Sequence, residues 1–182
     1  MKISLLRKSA QLFVLTALGL QLCACSTFRP VSKGQAAEAC LSIVNVRLEG
    51  HFSAPSPPHA TPAVQGDFDG DERDDVACLG MKAGSDVAWL FVVLASEKKK
   101  PQVFSLEHFS PDTPSTDIRI LHERPNSFTT RCGYMPDECA PDARLILDLN
   151  RDSIFLVVLG ASGVLIYWDE TALSFKREWL ID

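Results

Sequence analysis

Residues 152–179 read DSIFLVVLGASGVLIYWDETALSFKREW. Two short turn segments, Gly160-Ala161-Ser162-Gly163 and Asp169-Glu170-Thr171-Ala172, break this stretch into three apolar runs. Runs of this length, rich in Ile, Val, Phe, Tyr and Trp and separated by turn residues, are strands joined by hairpins. Residues 154–159 are apolar on both faces, which predicts a central strand. In residues 173–181, Leu173, Phe175, Trp179 and Ile181 fall on one face, while Lys176 and Glu178 fall on the other. That pattern predicts a strand with one wet side.

Toward the N-terminus the same period continues. Residues 76–79, 87–94, 103–109 and 145–149 are predicted strands, with weaker signals at 118–121 and 127–131. Lys98-Lys99-Lys100-Pro101 reads as a solvated turn. Residues 53–64 carry Pro55, Pro57, Pro58 and Pro62, so they read as an extended connector, neither helix interior nor central strand. Ahead of them, residues 35–46 predict a helix, with Ala36, Cys40, Ile43 and Val44 along one stripe. The expected fold is mainly β, with α+β as the alternative. It is an antiparallel sheet of hairpins with one N-terminal helix, in a single blade-like or sandwich domain. A full propeller is excluded, because four or more blades of about 40–50 residues do not fit in 182.

Residues 1–24 are predicted to be an address and not part of the fold. Lys2, Arg7 and Lys8 precede a 13-residue uncharged apolar run from Ala10 to Leu22, too short for a membrane-spanning helix of about 20 residues. The run ends in Leu22-Cys23-Ala24-Cys25, which resembles the bacterial lipobox. The resemblance implies cleavage after Ala24 and lipidation of Cys25. Cys23 is the worse acceptor, because bulky Leu22 would precede it. Ser26 follows the lipidated cysteine, and by resemblance to Gram-negative sorting this implies the outer membrane, facing the periplasm. The expected layout is a lipoprotein signal peptide at 1–24, a tether at 25–33 and one β domain at 34–182. Several acyl chains give a stable membrane anchor.

Removing 24 of the 182 residues leaves 158 and discards three basic residues and no acidic ones, so the net charge moves from −5 to −8. A chain this acidic lacks the basic field that nucleic acid requires. It favours a cation, or a protein partner of basic character. Four cysteines remain in the exported chain, which predicts disulfides. Of the three pairings, Cys132–Cys139 is favoured because the segment between them is turn-rich, leaving Cys40–Cys78. A zinc site lacks both the C-x2-C pair and a nearby histidine pair.

The densest chemistry lies at Gly66-Asp67-Phe68-Asp69-Gly70-Asp71-Glu72-Arg73-Asp74-Asp75, with five aspartates in nine residues. Asp67, Asp69, Asp71 and Asp75 occupy positions 1, 3, 5 and 9. At that spacing carboxylates can converge on one hard cation, with the Arg73 carbonyl at position 7 and Phe68 turned into the core. Without a cation their charges repel. The stretch resembles the DxDGDGxxD loops of FG-GAP and VCBS-type repeats, which join two strands and bind Ca²⁺. The resemblance implies a structural calcium held by Asp67, Asp69, Asp71, Arg73 and Asp75. Glu72 departs from the pattern, which has glycine there, and a positive φ at that position costs about 1 kcal/mol or more. An EF-hand is a poorer match, because its twelfth position would be Cys78. Asp148-Leu149-Asn150-Arg151-Asp152 resembles a broken second copy, whose ninth position is Leu156; it reads as a hairpin loop.

More widely, the Cys132-Gly133 … Cys139 loop, the Asp152-Ser153-Ile154 strand and the Tyr167-Trp168-Asp169 … Phe175 … Arg177 hairpin are similar to small FG-GAP/VCBS-like bacterial lipoproteins. That resemblance implies no activity. His51, His59, His108 and His122 lie outside metal or catalytic motifs, and Gly160-Ala161-Ser162-Gly163 lacks the spacing of a nucleophile elbow. The sequence therefore predicts no enzyme. It predicts a lipid-anchored binding or scaffolding module with a calcium loop, or alternatively an inhibitor or immunity protein that neutralises an envelope-acting toxin or hydrolase. The Trp168 and Trp179 hairpin is a candidate contact surface, with core packing the expected role for both.

Overall fold

The computed structural model describes residues 32–55, 62–96, 100–161 and 163–180. Residues 1–31, which contain the lipobox, Cys25 and most of the tether, lie outside the described residues. So do Pro57, Pro58, His59, Lys98, Lys99, Ser162 and Ile181. The fold is mainly β, and every strand pairing is antiparallel.

Helix α1 (Lys33–Leu48) is longer at both ends than the predicted 35–46. Its start is fixed by a capping box. The Ser32 hydroxyl accepts from Gln35 N at 3.3 Å, and Gln35 Oε1 accepts from Ser32 N at 3.2 Å, which satisfies two otherwise orphaned donors. It ends at Glu49, in the left-handed region with φ 50. Ala36, Ala37, Cys40, Leu41 and Val44 are buried.

The first sheet contains β1 (Phe52–Ser53), β2 (Ala63–Gly66), β3 (Asp75–Lys82), β4 (Ala88–Leu94) and β5 (Gln102–His108). β1 and β2 both pair with one side of β3, and β4 and β5 follow on the other side. Among the described residues of 53–64 there is no central strand, as expected, but the connector reading needs correction at both ends: Ser53 belongs to β1, and Ala63 and Val64 to β2, each of which pairs with β3 alone. β2 begins directly after Pro62, whose carbonyl accepts from Leu79 N at 2.9 Å. A proline can open a strand, because only its missing N–H bars it from the interior.

The second sheet is β6 (Ile118–Glu123), β9 (Ser153–Val158), β10 (Val164–Asp169) and β11 (Ser174–Trp179), in the order β11-β10-β9-β6. β9 is central, as its two apolar faces predict. Between β6 and β9 the chain makes an excursion through β7 (Ser127–Thr129), α2 (Arg131–Tyr134) and β8 (Ile146–Asp148). The weak strand signal at 127–131 thus divides, because Thr130 caps α2 by accepting from Gly133 N. Cys132–Cys139 closes a short loop within the excursion with Cα atoms 5.7 Å apart, and Cys40–Cys78 ties α1 to β3 at 6.3 Å. Both pairs are those favoured from the sequence.

The layers stack as α1, first sheet, second sheet, excursion. Cys78, Phe91 and Val93 face α1. Ala77, Leu79, Leu90 and Val92 meet Ile154, Leu156, Val164 and Ile166 between the sheets. Leu165 and Tyr167 face Phe128 and Leu147 of the excursion. The two sheets repeat one plan. Asp75 opens β3 opposite Gly66, and Ser153 opens β9 opposite Glu123.

Trp168 packs as expected, edge-on to Phe104 and Phe175 with ring centroids 5.6 and 5.1 Å away. Trp179 does not. It is 55% exposed, and Leu173, in the turn with φ 49, is 70% exposed. β11 is an edge strand, and of the described residues of the predicted apolar face only Phe175 reaches the inter-sheet core.

Candidate metal centre

Residues 67–74 turn the chain from β2 into β3. Phe68, 1% exposed, anchors the turn in the inter-sheet core. Around it the aspartates accept from the loop's own backbone. Asp67 takes Gly70 N at 2.8 Å and Glu72 N at 3.0 Å, and Asp69 takes Asp71 N at 3.2 Å. Gly70 and Glu72 adopt φ 82 and 65, so Glu72 stands in the conformation that its sequence position implied. One oxygen each from Asp67, Asp69 and Asp71 lie within 4.8 Å of one another. Carboxylate oxygens are the donor type a hard cation such as Ca²⁺ takes, and these three would supply part of the about six to eight oxygens it requires.

Asp75 has a different bond set. It is 1% exposed; one carboxylate oxygen accepts from Phe68 N at 3.0 Å and the other from Ala95 N at 2.8 Å. It braces the turn against the end of β4. Burial pushes its carboxyl up to about 7; the Ala95 N–H opposes this and the charge of Asp69 adds to it. The Asp69 carboxyl is also raised, first by burial and then by the charges of Asp71 and Asp67, against the Asp71 N–H and Arg151. Arg73, whose backbone carbonyl was the expected ligand, places its Nε 3.7 Å from Asp71 Oδ2.

The second, broken motif lies against this loop. Asp152 Oδ2 accepts from Asp67 N at 3.0 Å and sits 2.9 Å from His122 Nε2. Arg151 donates to the Asp69 carbonyl and pairs with Glu170. A polar cleft of about 270 Å³ is lined by Asp67, Gly70, Pro125, Asn150, Arg151 and Asp152. Asp148, the first residue of that motif, instead accepts from Ser127 Oγ on β7. Sequence reading missed Arg151, Asp152 and His122 as neighbours of the loop. The resemblance of 148–152 to the first loop was the available signal. Of the other described histidines, His108 packs tilted against Trp89 with centroids 5.4 Å apart. No protein-family model, curated protein or solved structure matches this chain.

Proposed function

We propose that this protein is a lipid-anchored module of the bacterial cell envelope, held at the outer membrane and facing the periplasm, that binds or scaffolds other envelope proteins without catalysis. In this reading the 67–75 loop carries a structural Ca²⁺. The observation that supports it is the convergence of Asp67, Asp69 and Asp71 within 4.8 Å, on a turn that touches both sheets. The anchor reading rests on Leu22-Cys23-Ala24-Cys25, and the preference for a basic partner rests on the acidic exported chain.

Extracellular calcium modules bind at about 10⁻⁴–10⁻³ M. At ten times the dissociation constant, mass action adds about 1.4 kcal/mol, which in a domain of this size is about 3–6 °C in Tm. Millimolar Ca²⁺ is therefore expected to raise the melting temperature by that amount, and Asp69→Ala to abolish the rise. A wild-type protein with no calcium-dependent shift would remove the metal from the proposal. Affinity purification from membranes tests the rest. Envelope assembly components support scaffolding, whereas stoichiometric recovery of one basic toxin or hydrolase makes the protein an inhibitor.

A further inference from the structure

The loop's acidity has a partner from the other sheet. Arg151 is separated from the loop by more than seventy residues, yet its side chain is only 12% exposed and its guanidinium lies over Gly70. A Cβ at Gly70 would stand 3.0 Å from both Arg151 Cζ and Nη1. Glycine at position 70 leaves room for that close approach and supports its φ of 82 without strain. Nη1 donates to the Asp69 carbonyl, and Nη2 pairs with Glu170, an exposed residue of the β10–β11 turn. The guanidinium is thus fixed from both sides, by the loop's backbone and by an acid of its own sheet.

We propose that Arg151 is a built-in counter-cation for the 67–75 loop, which keeps the acidic turn folded without metal and lowers its affinity for calcium. This rests on the calcium reading of the loop. A fixed positive charge offsets carboxylate repulsion when no ion is present, and repels an ion that arrives. A group that stabilises the empty state and opposes the filled one lowers apparent affinity by the difference. At separations of several ångströms and an effective dielectric near 20, removing one such charge corresponds to a change of about tenfold or more.

The test compares the wild-type mature chain with Arg151→Gln and Glu170→Gln at low ionic strength, by calcium titration calorimetry and thermal melting. In EDTA, Arg151→Gln is expected to melt below wild type. Calcium is expected to bind it about tenfold more tightly and to raise its Tm further. Glu170→Gln, which leaves Arg151 with the loop alone, is expected to bind calcium more weakly than wild type. If Arg151→Gln binds no more tightly than wild type, whether both bind equally or neither binds, the counter-cation is overturned. Equal binding leaves the calcium reading standing, while binding by Arg151→Gln alone supports the counter-cation and removes calcium as a resident ion. Should Arg151→Gln not fold in EDTA, Glu170→Gln decides, and an affinity equal to or above wild type overturns the proposal.

Discussion

Asp75 is a carboxylate shut away from water with both oxygens on backbone N–H groups. Its folded pKa of about 7 lies above its ordinary 3.8, so the folded state binds the proton more tightly than the unfolded chain. The stability this contributes is fully present below about pH 3.8 and is lost as pH rises through about 7. Denaturant melts across that window should show stability falling with pH, and Asp75→Asn should flatten the slope. An unchanged slope in the variant would assign it to other groups. Glu72 carries a different cost, a left-handed backbone without glycine's freedom. Glu72→Gly is expected to stabilise the protein by about 0.5–1 kcal/mol, measured by equilibrium unfolding. The strain at Glu72 was legible through the resemblance to DxDGDGxxD loops, which have glycine at that sixth position. The brace at Asp75 was not, because spacing alone does not distinguish a ligand from a buried acceptor of backbone hydrogen bonds.

At the scale of elements, the hairpins were legible because their apolar runs are long and their turns short. Asp169 shows why the last turn is tight, since it accepts from Thr171 N at 2.9 Å and Ala172 N at 2.8 Å. β2 was hidden because Pro62 stands directly before it, and the exposure of Trp179 was hidden because period-2 alternation does not show where a strand reaches the sheet's edge. The two disulfides belong to this scale as well. Cys40–Cys78 spans 38 residues and Cys132–Cys139 spans 7. Loop-closure entropy assigns them about 4 and about 2 kcal/mol. Replacing each pair with alanine should therefore lower unfolding free energy more for the first, and equal losses would show that chain entropy is not what sets their value.

At the scale of the whole molecule, the arrangement of layers follows from contacts far apart in sequence. Asp67 and Asp152 meet across 85 residues, and Glu107 of β5 pairs with Arg177 of β11. No local pattern announces the second contact, and only the likeness of residues 148–152 to the first loop pointed toward the first. Trp168 packs between the sheets, while Trp89 packs beneath α1. Because the sheets share one core, tryptophan fluorescence and far-ultraviolet dichroism should report a single coincident transition. Two separated transitions would show that the sheets unfold independently. A sheet face left uncovered is an apolar patch on which another molecule can pack. α1 covers the outer face of the first sheet and is fastened to β3 by Cys40–Cys78, while the excursion covers the outer face of the second. Cys40–Cys78 therefore also bears on solubility, because it keeps Cys78, Phe91 and Val93 under their helix.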